Sequence, residues 1–414
     1  MKLLALFKRH ATAIWLAASL LVLLGVAAAY DMPSGIYPEV EFPRIAVVAR
    51  SGGAPPDVFL TEVTRPLEQA LASTLGLQRI QSKTIRGATA LSLQFAPGTD
   101  MWRALQLVEA RVSETRASLP SDAEIIVDRV TTGSFPVVTL NVSGAVDPRD
   151  LRELAELVVQ PALANVPGVG RIEVLGGDVR EYEVIVDPDA VPALHVTPDL
   201  LATRLRDAMG QRAVGRVNRG QQMLAALADA QPRTLREIAD IPIATTPGGD
   251  VLPVRSVAEV VEGAEDPNVR VGGPRGHTVA LSVARLPGAS TPEVVEGALE
   301  AVRALKSSLP AGVAIEPVYD QASLVEDAMS GVRDAILLGI ALCALCITIF
   351  LRDVRAGLQA ALAVPVTLAV TFLFMRLGNQ TLNLMSLGGM AVAIGLVVDD
   401  AIVVVEAMAR HRDF

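Results

Sequence analysis

Apolar residues gather in four long stretches of this chain, at 11–29, 335–351, 356–375 and about 384–408. Between the first and second the pattern changes to short alternating runs. Each long stretch is of the length a helix needs to cross a bilayer, about 17–25 residues. The first follows Lys2, Lys8 and Arg9, so a secretory signal and a membrane anchor are both open for it. Its length, and the spans that follow, favour the anchor. Only Arg352-Asp353-Val354-Arg355 separates the second stretch from the third, which predicts a tight helical hairpin.

Residues 31–327 read as alternating strands and helices in two similar halves. The first half predicts a strand at 43–49, an amphipathic helix at 55–75 and a hairpin of 77–84 with 88–95 around Arg86-Gly87. A helix at 100–118, capped by Thr99-Asp100, and a strand at 124–130 complete it. That order is β-α-β-β-α-β, the split βαβ arrangement. The second half predicts a strand at 136–143, a helix at 147–165 and a strand at 169–175, then resumes with 278–286 (strand), 291–308 (helix) and 313–319 (strand). The interruption, 176–276, has its own signals: a strand at 182–186 and a helix opened by Thr197-Pro198. It also holds a hairpin tip at 215–220 and a strand pair over 251–261 with Pro253 at an edge.

The expected fold class is therefore membrane α-helical, with four transmembrane helices, plus an α+β extracytoplasmic domain. That domain comprises two ferredoxin-like subdomains with a small α/β domain inserted into the second, each sheet packing its helices on one face. The expected limits are 1–30 for the first transmembrane helix and 31–133 for the first subdomain. The second subdomain takes 134–178 and 263–327, the insertion 179–262, and transmembrane helices two to four take 328–414.

Charge supports the division. The chain is 51% hydrophobic and 20% charged with a net charge of −9, and all but nine of its 36 basic and all but six of its 45 acidic residues fall within 31–327. Alternate threading of the spans puts Lys2, Lys8, Arg9, Arg352, Arg355, Arg410 and Arg412 on one side. Only Arg333 and Arg376 flank spans on the other, so the first side is the cytoplasmic one. Residues 31–327 then lie across the membrane. The acidic balance argues against a nucleic-acid partner, and the apolar content excludes a disordered chain.

The sharpest chemical feature is Asp399-Asp400 inside the fourth stretch, in Gly395-Leu396-Val397-Val398-Asp399-Asp400-Ala401-Ile402-Val403-Val404-Val405-Glu406. A carboxylate at bilayer depth costs about 2.5–3.5 kcal/mol or more, so a pair there implies a function. Gly388, Ala391, Gly395 and Asp399 fall on one helix face as a row of small residues that another helix can approach closely. Glu406 lies two turns beyond Asp399, and Asp400 points about 100° away. Two like charges this close oppose simultaneous ionisation, which suits a site that takes up and releases protons. A polar terminus following a non-spanning stretch is the alternative.

That run closely resembles the fourth transmembrane helix of resistance–nodulation–division (RND) efflux transporters. Phe350-Leu351-Arg352-Asp353-Val354-Arg355-Ala356, continuing to Ala363-Val364-Pro365-Val366, resembles the family's hinge between its second and third helices. Tyr37-Pro38-Glu39-Val40-Glu41-Phe42-Pro43 and Phe95-Ala96-Pro97-Gly98-Thr99-Asp100 resemble its porter entry motifs. The resemblance runs the whole chain in order. It implies a proton-driven antiporter of the hydrophobe and amphiphile exporter type in the bacterial inner membrane, with a large periplasmic domain and Asp399 and Asp400 as the proton relay. It further implies porter subdomains with an inserted docking domain, a homotrimer, a periplasmic adaptor protein and an outer-membrane channel. The chain would correspond to the N-terminal portion of such a pump, whose relay faces basic residues from a second half. Metal or lipid export within the superfamily, and a truncated non-transporting scaffold, are the other readings.

The Asp-Asp pair is similar to the hydrophobe exporters, whereas heavy-metal relatives show Asp-Ala there. Phe135 falls where those exporters place a binding-pocket Phe, and for it a core position and a substrate contact are both open. Leu175 stands where a second pocket Phe is usual, and Ala407 replaces a usual Asn. Cys343 and Cys346 lie within the second stretch, where thiols stay protonated and inert. His10, His195, His277 and His411 are scattered, so no metal site is expected, nor any cofactor. Pro365 reads as a tolerated kink. No nucleophile–base constellation points to an enzyme.

Overall fold

The computed structural model describes residues 11–412 apart from 195, 211, 220–221, 229–230, 246–248, 268 and 352–353. Lys2, Lys8, Arg9, His10, His195, Gly220, Arg352 and Asp353 lie outside the described residues. Helix α1 (Ala11–Asp31) leads into strand β1 (Glu41–Arg50), helix α2 (residues 56–71), β2 (Leu77–Ile85), β3 (Ala88–Phe95), helix α3 (Met101–Thr115) and β4 (Glu124–Thr131). The four strands form one antiparallel sheet in the order β2-β3-β1-β4. β5 (Pro136–Gly144), helix α4 (residues 148–164) and β6 (Val169–Gly176) begin the second unit.

An insertion follows, with β7 (Arg180–Val186), helix α5 (Pro198–Met209), β8 (Arg212–Arg219), β9 (Gln222–Ala228), helix α6 (Leu235–Ala239), β10 (Pro242–Thr245), β11 (Val251–Pro253) and β12 (Ala258–Ala264). The second unit then resumes with β13 (Gly272–Gly273), β14 (Gly276–Arg285), helix α7 (Thr291–Leu305) and β15 (Ala314–Asp320). Its main path is β6-β14-β5-β15, antiparallel throughout, with β13 also on β14. The central four strands thus repeat the 2-3-1-4 order of the first sheet.

The first helix of each unit is built alike. Phe59, Val63, Leu67 and Leu71 are buried in α2, and Leu151, Ala155, Val159 and Leu163 in α4. A strict four-residue repeat drifts about 40° per step around an α-helix. Each helix contains one π turn, Leu60–Thr64 and Ala155–Val159, whose wider coil takes up that drift and keeps all four side chains on the sheet. A proline follows each π turn (Pro66, Pro161). There the missing N–H and the ring already disturb the regular ladder. Asp100 caps α3 by accepting from the N–H groups of Trp102 (3.0 Å) and Arg103 (3.2 Å).

The insertion departs from expectation in two places. Residues 215–219 are strand rather than a hairpin tip, because β8 runs to Arg219 and pairs with β9. The strands over 251–261 do not pair with each other. A 3-10 turn at Val254–Ser256 redirects the chain, so β11 joins β10 while β12 joins β7 as the stem of the insertion.

Three further helices close the chain: α8 (Gln321–Leu351), α9 (Val354–Leu377) and α10 (Leu384–Arg412). Among the described residues two helical segments are long and apolar enough to cross a bilayer, Gln321–Ile349 and Leu384–Met408. α1 and α9 carry shorter apolar runs, Trp15–Asp31 and Ala361–Leu377. α8 begins 14 residues before the predicted span, because Asp320 accepts from the Ala322 N–H (2.8 Å) and starts the helix directly after β15. α1 packs on α9, and α8, α9 and α10 pack on one another. Gly25 lies so close to the Ala369 carbonyl that any side chain there would overlap it. α9 continues through Pro365.

Candidate functional site

α10 starts at a well-satisfied cap. Asn383 Oδ1 accepts from the N–H groups of Met385 and Ser386 (both 3.0 Å), and Asn383 Nδ2 donates to Thr381 O (3.1 Å) and Oγ1 (3.0 Å). The next turns bury Leu387, Met390 and Ile394, and Val405 lies further along the same face. Leu387 and Met390 pack with Leu368, Phe372 and Met375 of α9, while Val405 meets Ile347 of α8. The opposite face holds Gly388, Ala391, Gly395, Asp399 and Asp400, all turned outward. A Cβ placed on Gly388, Gly389 or Gly395 would meet no atom within 4 Å. Among the described residues both carboxylates thus sit on the uncovered side of the bundle, beside a smooth strip of backbone. Glu406 is half-buried at the rim of that face.

Phe135 is half-exposed at the start of β5, after a 3-10 turn at Thr132–Ser134. It therefore is not a core residue of this unit. The structure does not bring Phe135 and Leu175 together. β14 pairs Ala284 with Pro136 but Ala280 with Leu175, four residues apart along the strand and on opposite neighbours. Leu175 instead lines a cleft of about 690 Å³ between the two sheets, with Arg50, Lys83, Asp122, Arg152 and Glu173. Two ion pairs join the sheets, Arg50–Glu173 (3.7 Å) at the cleft and Arg171–Asp128 (3.9 Å) outside its lining. The Ser51 hydroxyl and the Gly52 N–H donate to Asp122 (2.7 and 3.1 Å) and hold its carboxyl below the usual range.

The entry motif has a structural meaning that its spacing did not convey. Glu41 pairs with Arg129 of β4 (2.8 Å), whose guanidinium stacks 3.5 Å over the Trp102 ring. Glu39 pairs with Arg285 of β14 (2.6 Å), an arginine whose side chain is only 7% exposed. Two carboxylates two residues apart, Glu39 in the segment before β1 and Glu41 at its start, thus hold this stretch of chain to both units. The stem of the insertion is held in the same manner. Arg180 contacts Glu153 (2.7 Å), Asp150 (2.5 Å) and Glu262, and Glu153 is the main reason its guanidinium pKa is raised. Arg149 pairs with Asp147 (2.8 Å) and holds that carboxyl well below the ordinary range.

Two helices long and apolar enough to cross a bilayer, one of them bearing an outward acidic pair, accompany two α/β units of like strand order, a plan consistent with a membrane protein that carries an extramembrane α+β domain. The profile of the AcrB/AcrD/AcrF family matches residues 3–413, and the chain belongs to that family of RND permeases. It is a transporter-family protein, and membership implies the inner membrane.

Proposed function

We propose that this protein is a proton-driven antiporter subunit exporting hydrophobic or amphiphilic compounds. Asp399 and Asp400 take up protons from the side to which substrate is exported, and that uptake drives the transport cycle. The observation that carries this reading is the outward acidic face of α10. Two adjacent carboxylates lie on an apolar helix, turned away from α8 and α9 and flanked by Gly388 and Gly395. Such a face suits a partner helix whose basic residue pairs with whichever carboxylate is ionised. In the same reading α1, α8, α9 and α10 all span the inner membrane, residues 31–327 are periplasmic, and residues 179–262 dock to neighbours. The assembly is a homotrimer working with a periplasmic adaptor and an outer-membrane channel. Half-exposed Phe135 contacts the hydrophobic cargo.

The test is Asp400→Asn in the complete transporter. Loss of export together with loss of proton uptake is expected. Undiminished export with intact proton coupling would sink the proposal.

A further inference from the structure

The segment leaving α1 is held on both sides by backbone. Gly35 N–H donates to Leu382 O (2.9 Å), Leu382 N–H to Pro33 O (3.0 Å) and Leu384 N–H to Ile36 O (3.1 Å). These bonds tie residues 33–36 to the loop between α9 and α10, with Ser34 bridged in parallel to Leu382. On the other side the Ser34 carbonyl accepts from the N–H of Thr291 (2.8 Å), the first residue of α7. The hydroxyls of Ser34 and Ser290 lie 3.4 Å apart. Met32, Leu382, Asn383 and Thr291 are all buried here. At the outer rim Arg376, in the last turn of α9, pairs with Asp31 at the end of α1 (2.8 Å).

The start of α10 and the start of α7 are therefore hooked to the same piece of chain only four residues long, whose covalent reach is short. Bonds buried in this way have no water to replace them if they break. The Asn383 cap welds the loop to α10, so the helix cannot slide without dragging residues 33–36. Unlike α8, which joins β15 covalently, this connection reaches the helix that carries the acidic pair.

We infer that residues 33–36 are a mechanical clamp through which displacement of α10 moves α7, and with it the second α/β unit. The inference rests on the reading of Asp399 and Asp400 as a proton relay, but the clamp itself can be tested separately. Thr291→Pro removes the N–H donated to Ser34, together with a buried hydroxyl that makes no hydrogen bond among the described residues, at a first helical position where proline is well tolerated. Gly35→Pro, which removes the N–H donated to Leu382, is the second variant. Gly35→Ala keeps every backbone bond, since its methyl would sit 3.4 Å from Thr291 Oγ1 in ordinary contact.

Spin labels on exposed Met385 and Glu293 of the full transporter in lipid vesicles report the α10–α7 distance. The parent and Gly35→Ala should give one narrow distribution, unchanged between acidic and neutral pH. Both proline variants should broaden it and lower export about tenfold or more. A distribution that stays narrow in Thr291→Pro and Gly35→Pro overturns the clamp, as does undiminished export once the distribution has broadened. A failed relay shows instead in Asp400→Asn, whatever the labels report.

Discussion

Replacing Glu39 by Gln removes the charge partner of Arg285 while keeping size and shape. Arg285 is 7% exposed and lies 2.6 Å from Glu39, whose own side chain is 30% exposed. Arg285 retains hydrogen bonds to the carbonyls of Ala289 (3.0 Å) and Leu286 (3.4 Å). Breaking a fully buried pair costs about 3–5 kcal/mol, and the retained carbonyls and the partly open carboxylate reduce this to roughly 2–3 kcal/mol. The reverse change, Arg285→Met, leaves a carboxylate that water can reach, and costs about 1–2 kcal/mol. The double variant should then lose less than the sum of the two, with a coupling of at least about 1 kcal/mol. Thermal unfolding of the detergent-solubilised protein measures it. Glu39→Gln should lower Tm by about 4–10 °C on the scale expected of domains this size. Strict additivity of the two changes would refute the reasoning, because it would mean that the charges do not sense each other.

Other expectations follow from the same contacts. Gly25→Leu forces α1 away from Ala369 of α9 and should lower thermal stability in detergent by about 1–3 kcal/mol despite leucine's better helix propensity; unchanged stability would refute that close crossing. Asp122 is held low by Ser51, so its contribution is complete above the ordinary carboxylate value of about 3.9 and lost as the pH falls through its lower folded value. Ser51→Ala should therefore flatten the acid limb of the stability curve, and an identical limb would count against that hydrogen bond. Phe135→Ala should change stability by only about 0.5 kcal/mol, as expected for a surface position, while reducing efflux of hydrophobic compounds. A collapse in Tm would return Phe135 to the core.

Much of this architecture is legible locally. Alternation marks β1, β3 and β5, and the Asp100 cap is visible from residue type and position. The two carboxylates of α10 stand out against the apolar run around them, and helical spacing alone places Gly388, Gly395 and Asp399 on one face. The hairpin of the insertion is less legible, because Gly215 and Gly220 signal a turn over a stretch in which residues 215–219 instead pair along β8 with β9. Nor does Pro253 reveal that β11 and β12 part to different sheets, since the 3-10 turn between them depends on what each strand meets.

By itself the sequence determined most of the helices and strands, and that an acidic pair is set in a long apolar helix. Those properties depend on residues within a turn or two of each other, where periodicity and capping decide the outcome. Only the tertiary structure decided that the acidic face of α10 turns away from its neighbours. It also decided that Glu39 meets Arg285, that Leu175 faces a cleft apart from Phe135, and that Ser34 joins Leu382 to Thr291. Such contacts link positions dozens to hundreds of residues apart, and packing rather than local pattern selects them. Burial and hydrogen-bond satisfaction across the whole chain brought them together.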